Sequence, residues 1–113
     1  MNTDCYDVIG DIHGHADKLH HLLRALGYTP KGSAWQPPAG RQAVFIGDLI
    51  DRGPGQLEVL GTVRAMVDAG YARCIMGNHE LNAIGWATPS EKQPGEYLRP
   101  HIDKNWKQHR AFL

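Results

Sequence analysis

The sequence predicts an α/β fold in which parallel strands are covered by helices. Short apolar runs at residues 5–10, 42–46 and 72–76 alternate with two stretches of helical periodicity. Each helical stretch ends on a glycine, Gly27 or Gly70, the residue best suited to leaving a helix. Strand, helix, strand, helix, strand is the order that builds a parallel sheet with helical crossovers, expected to be right-handed.

Taken in order, residues 5–10 form the first strand. Leu19, Leu22, Leu23 and Leu26 recur at helical spacing and predict a helix over 16–26. Residues 28–41 carry Pro30, Gly32, Pro37, Pro38 and Gly40 and read as a loop. Residues 42–46 read as a strand buried on both faces. Pro54 opens a second helix, where its missing N–H costs nothing, with a stripe of Leu57, Leu60, Val63 and Val67. Residues 72–76 form a third strand, and 80–86 look like the start of a third helix. Residues 88–100, with Pro89, Pro94, Gly95 and Pro100, read as an exposed loop. Residues 102–113 predict a partial helix with Ile102, Trp106, His109 or Arg110, and Leu113 on one side. It stops on Ala111, Phe112 and Leu113 without a cap. We therefore expect residues 1–87 to be the motif-bearing half of a domain and 88–113 a loop and a helix cut short.

Composition narrows the function. The 113 residues suit one domain. Lys plus Arg equals Asp plus Glu at 12 each, which gives no basic footprint for nucleic acid and no polybasic membrane anchor. No apolar run approaches the ~20 residues that span a bilayer. The first four residues lack the basic and apolar segments of a signal peptide. Cys5 and Cys74 fall in strands, form no CxxC pair, and read as buried reduced thiols of a cytoplasmic protein.

Three polar clusters follow directly after the three strands, at the sheet edge where α/β proteins build their sites. The first is Gly10, Asp11, Ile12, His13 and Gly14. In an extended chain Asp11 and His13 point the same way and can share a metal while Ile12 enters the core. The alternative is that Asp11 caps the helix. The second cluster runs from Gly47 to Pro54. Asp48 has two oxygens and can bridge two cations, and Arg52 presents a planar fork to phosphate. The alternative is a surface ion pair between Asp51 and Arg52. The third is Gly77, Asn78, His79 and Glu80. Asn78 offers a neutral carbonyl oxygen to a cation, His79 is free for proton transfer, and Glu80 suits the first turn of a helix. The alternative is Asn78 as a helix cap. Three such clusters, each directly after a strand, favour a metal site over three coincidences.

With the words GDIHG, GDLIDRG and GNHE intact, residues 5–81 resemble the calcineurin-like metallophosphoesterases. The likeness is to the branch holding the Ser/Thr phosphoprotein phosphatases and the bacterial diadenosine-tetraphosphatase-like enzymes. The resemblance implies the N-terminal half of a metallophosphoesterase β-sandwich flanked by helices. It implies two divalent metal ions, of manganese, iron or zinc, that activate water against a phosphate ester. The substrate would be a phosphoprotein, a dinucleoside polyphosphate or a small phosphomonoester. Asp11 and His13 would bind the first metal, Asp48 would bridge both, and Asn78 would bind the second. His79 would protonate the leaving group, oriented by Asp51, and Arg52 would hold the phosphate.

The family also draws histidines in Gly-His contexts, and often a second arginine, from a C-terminal half. His101 and His109 do not follow glycine. His15 reads as a helix-start residue, and His20 and His21 as helix-surface residues. The expectation is a truncated chain that binds one metal weakly at Asp11, His13 and Asp48. Two competing readings are a non-catalytic metal- or phosphate-binding remnant and a nucleotide-binding α/β domain. The second is weakened because the first cluster is acid-rich and is not a GxGxxG.

Overall fold

The computed structural model describes residues 4–110. The elements are β1 (Cys5–Ile9), α1 (Ala16–Ala25), β2 (Thr29–Lys31), β3 (Ala34–Gln36), β4 (Arg41–Phe45), α2 (Gln56–Asp68), β5 (Ala72–Cys74), α3 (Asn78–Ala87) and α4 (Asp103–His109). The fold is α/β, as the alternation predicts. β1, β4 and β5 form a parallel sheet with β4 in the centre. Ile9, Phe45 and Cys74 share one row of its register, and Asp7, Ala43 and Ala72 another. Because the strands run the same way, the three polar clusters leave from one edge.

One face of the sheet carries the core. Ile9, Ala43, Phe45 and Ala72 pack with Leu19 and Leu23 of α1 and Val59, Val63 and Met66 of α2. Burying each large apolar side chain contributes about 1.5–3 kcal/mol. Asp7 lies on the same face. It is bonded by Arg41 Nη2 at 2.7 Å, Arg41 Nε at 3.1 Å and the Tyr28 hydroxyl at 2.7 Å. Those bonds hold its carboxyl below the usual range. Burial and the same carboxylate push the Tyr28 phenol up. The opposite face exposes Tyr6, Val8, Ile46 and Ile75.

Several local expectations are corrected. Residues 28–41 are not simply a loop: β2 and β3 pair as an antiparallel hairpin that seats Trp35 in the core. Proline and glycine mark its turns and edge, where ladder bonds are not needed. The second strand is buried on one face only, with Val44 half-buried and Ile46 exposed. Cys5 and Cys74 are exposed free thiols, because β1 and β5 are the edges of the sheet. In α2 the buried positions are Gln56, Val59, Thr62, Val63 and Met66. Leu57 and Val67 face outward. Apolar residues occur on two sides of this helix, and contact with the sheet, not hydropathy, selects one.

The end of the described chain differs too. α4 buries Asn105 and His109, and leaves Ile102 and Trp106 exposed. The face is chosen by polar partners: Asn105 Nδ2 donates to the Pro100 carbonyl at 2.8 Å, and Arg99 Nε donates to His109 Nε2 at 2.9 Å. Leu113 and the apolar end at 111–113 lie outside the described residues. Residues 88–102 are tied to α3. His101 stacks on Trp86 and Tyr97, with centroids at 3.9 and 4.0 Å, and Arg99 N–H bonds the Gly85 carbonyl at 3.0 Å.

Candidate active site

The backbone is unusual at the edge where the strands end. Asp11, His13, Asp48, Asp51 and Arg52 all have positive φ, between 47° and 76°. Such left-handed residues cost on the order of 1–3 kcal/mol each and persist only where the surroundings over-determine them. The lacing that does so is visible. His13 N–H bonds the Asp48 carbonyl at 2.9 Å, Gly14 N–H bonds Leu49 at 2.7 Å, and Gly53 N–H bonds His13 at 2.7 Å. A Cβ on Gly53 would lie 2.5 Å from the Gly14 backbone, so only glycine permits this approach. The first cluster is thus not extended through Asp11 and His13, as the alternation argument assumed. Ile12 nevertheless enters the core, and both flanking side chains stay on the loop.

Asp11, His13 and Asp48 come together, each offering one ligand atom within 4.8 Å of the others. Asp11 is exposed, and its Oδ1 lies 4.0 Å from His13 Nε2. His13 Nδ1 faces the Ile50 carbonyl at 3.1 Å. Only an N–H can bond a carbonyl, so Nδ1 carries the proton and Nε2 keeps its lone pair on the open side. Two carboxylates and one such imidazole fit a hard or borderline divalent cation. Asp11 does not cap α1, whose N-cap is His15.

Asn78 is the first residue of α3, and Gly77 rather than Asn78 is the N-cap. The N–H of His79 donates to Asp48 Oδ1 at 3.2 Å, which brings the start of α3 against Asp48. The His79 ring stands edge-on to His13, with centroids 4.6 Å apart. Its Nδ1–H donates to Asp51 Oδ2 at 2.7 Å, so Nε2 is the free nitrogen. Asp51 is 2% exposed and faces His79 and Gln108, not Arg52. Arg52 is exposed beside a cleft of about 670 Å³, which Asp51, His79, Lys104, Lys107, Gln108 and Arg110 also line.

Sequence reasoning missed two groups. Glu80, read only as a first-turn acid, accepts three backbone N–H bonds: from Asp48 at 2.6 Å, Leu49 at 2.9 Å and Gly77 at 3.0 Å. The acid three residues after the cap glycine was the available signal. Gln108 donates to Asp51 Oδ2 at 2.7 Å across 57 residues, and no local pattern announces that. His20 is also half-buried, stacked on Trp35 at 5.6 Å, rather than free on the helix surface.

Comparison with known proteins agrees with this geometry. Residues 6–112 match the family described as calcineurin-like phosphoesterase. The asymmetrical bis(5'-nucleosyl)-tetraphosphatase PrpE of Halalkalibacterium halodurans is 46% identical over 74 residues, which cover 66% of this chain and 30% of the relative. The symmetrical bis(5'-nucleosyl)-tetraphosphatase of Cronobacter sakazakii is 33% identical over 94% of this chain and 37% of its own length. The chain therefore spans about a third of the curated relatives it matches. The crystal structure of a mutant cold-active protein tyrosine phosphatase superposes with a TM-score of 0.54 and 26% identity, over 75% of this chain and 28% of that one. With its three motif loops meeting at one sheet edge and the family matched over residues 6–112, the chain belongs to the calcineurin-like phosphoesterases.

Proposed function

We propose that the protein hydrolyses phosphate esters, using divalent cations held by Asp11, His13, Asp48 and Asn78. The observation that carries this reading is the placing of the Asp11, His13 and Asp48 group beside the His79–Asp51 pair. Cations bound there would supply Lewis acidity and activate the attacking water. Manganese, iron and zinc all suit these donors.

The chain's own groups do the rest. Arg52 orients the phosphate and offsets charge on its oxygens. His79 holds a proton at Nε2 for the departing oxygen. Asp51 fixes the ring through Nδ1. The cleft beyond Arg52 takes the rest of the substrate. Its lining adds three cations, Lys104, Lys107 and Arg110. That surplus suits a chain of several phosphates better than a neutral leaving group, and a dinucleoside polyphosphate is the substrate we favour. A cytosolic location belongs to the same proposal. Its support is that Cys5 and Cys74 are free thiols, a state that a reducing compartment maintains.

The test is metal analysis beside turnover of diadenosine tetraphosphate and of aryl phosphates, with His79→Asn as the probe. We expect bound metal to be kept while turnover falls by roughly 10²–10⁴-fold for poor leaving groups. Loss of metal in that variant would make His79 a ligand instead. Metal binding without turnover in the parent protein would favour the remnant reading.

A further inference from the structure

Asp51 stands on a left-handed backbone, with φ 71°, and is almost wholly buried. Among the described residues no backbone N–H donates to its carboxylate. Its two hydrogen-bond donors are the His79 ring and the Gln108 amide, both on Oδ2 at 2.7 Å. Gln108 is itself held, because its Oε1 accepts Arg99 Nη2–H at 2.7 Å. Arg99 also donates from Nε to His109 Nε2 at 2.9 Å. That bond makes Nε2 an acceptor, so the neutral ring carries its proton on Nδ1. His109 Nδ1 faces Asp51 Oδ1 at 3.9 Å. Both atoms are buried and, among the described residues, neither has another partner. A donor and an acceptor thus face each other, about 1 Å beyond hydrogen-bond length. Burial, the leading cause, lowers the His109 pKa from its ordinary value.

We propose that Gln108, His109 and Arg99 are positioning residues that clamp Asp51, one donor aimed at each carboxylate oxygen, and through it set the orientation of the His79 ring. The proposal rests on His79 as the proton donor. One guanidinium fixes both members: its Nη2 sets which end of the Gln108 amide faces Asp51, and its Nε sets the tautomer of His109. Without the clamp the carboxylate can rotate about its side-chain bonds, and the His79 ring turns with it. Nε2 then misses the leaving-group oxygen, while Arg52 and the metal-binding side chains stay where they are. The loss falls on proton transfer and not on substrate binding.

The experiment compares Gln108→Ala, Arg99→Met and His79→Asn in the full-length protein with manganese. Phenyl phosphate serves as the poor leaving group and 2,4-dinitrophenyl phosphate as the good one. We expect Gln108→Ala and Arg99→Met to lower kcat on phenyl phosphate by about tenfold, the scale of lost support behind a site residue. KM should stay within about twofold, and the dinitrophenyl ester should be far less affected. Adding Gln108→Ala to His79→Asn should cost nothing further. Imidazole nitrogen NMR of the unsubstituted protein supplies a readout apart from activity: His109 should be the Nδ1–H tautomer. The His79 Nδ1 proton should move upfield in Gln108→Ala. A leaving-group effect in His79→Asn that is absent from both clamp variants would overturn the clamp alone, as would a His109 Nε2–H tautomer. No leaving-group effect in His79→Asn would overturn the proton-donor reading beneath it.

Discussion

The carboxylate of Glu80 accepts the backbone N–H of Asp48 at 2.6 Å. With its bonds to Leu49 and Gly77 it fastens the second motif loop to the third. Asp48 sits at φ 53°, and its own Oδ1 returns the favour by accepting His79 N–H. Two loops from non-adjacent stretches of sequence are thereby locked in one geometry. Three amides share one ionised acceptor, so removing it leaves donors stranded at a half-buried site.

We therefore expect Glu80→Ala to destabilise the protein by about 2–4 kcal/mol, from the loss of charge-assisted bonds and the cost of unpaired N–H groups. Glu80→Gln should cost less, because one oxygen remains. Denaturant melts give the stability difference, and metal titration should show weaker binding in both variants because Asp48 loses its anchor.

The same loops meet backbone to backbone at Gly47 and Gly77. A Cβ on Gly47 would stand 2.6 Å from the Gly77 Cα, and Gly47 has φ +92°. No side-chain adjustment relieves a clash with main chain. Gly47→Ala should therefore destabilise by more than the ~1 kcal/mol that a Gly→Ala replacement gains at a compatible position, and it should lower metal affinity together with stability. Gly61, where a Cβ meets nothing within 4 Å, lies inside α2 and supplies the control. Gly61→Ala should hold or raise the melting temperature, by up to roughly 1 kcal/mol in stability.

Two acid-side stability losses follow from named groups. Asp7 titrates below its ordinary value near 3.8 because Arg41 and Tyr28 bond its ionised form. Its contribution is present above that value and is lost as pH falls through the lower, folded one. Asp7→Asn should flatten the loss of stability below about pH 4. His109 is depressed from 6.5, chiefly by burial, with Arg99 and His79 adding to the shift and Asp51 opposing it. Below 6.5 the unfolded chain takes up a proton that the folded one refuses, so stability falls as pH falls. His109→Gln should flatten the curve just below pH 6.5. Paired melts of variant and parent isolate each residue from the remaining histidines.

How far the sequence reveals this arrangement depends on range. The parallel sheet and the three motif loops are legible because each strand, its glycine and its polar cluster lie within a dozen residues. Trp35 shows where that fails. The hairpin of β2 and β3 is hidden by the prolines and glycines around it, since composition marks turns without saying what the turns connect. The outward Leu57 of α2 fails for another reason: two faces of the helix are apolar, and only the packed sheet decides between them. Gln108 is the extreme case. Its partner Asp51 is 57 residues away, and a glutamine in a polar helix carries no local mark of being bonded to a distant carboxylate.

The exposed side of α4 has its own consequence. Lys104, Lys107 and Arg110 line the same cleft as Arg52, and Asp51, the one acid among the lining residues, is already bonded by His79 and Gln108. The positive charge is therefore available to an anionic substrate. Each cation near such a ligand is screened by salt over about 8–10 Å, so its effect is modest at physiological ionic strength and larger below it. For a substrate with several phosphates, replacing both lysines should raise KM by roughly tenfold at low salt, the equivalent of about 1.4 kcal/mol, and by less at high salt. For p-nitrophenyl phosphate, which in the proposed site would reach only Arg52 and the proposed metal ligands, KM should stay within about twofold. The kcat should hold in both cases, because neither lysine touches His79 or Asp51 in the hydrogen-bond network. Steady-state kinetics of Lys104→Ala with Lys107→Ala, on diadenosine tetraphosphate and on the aryl ester at two salt concentrations, measure the difference. An equal rise in KM for both substrates would place the lysines against the scissile phosphate instead of along the rest of the chain. No change for either would make them an ordinary solvated face of the helix.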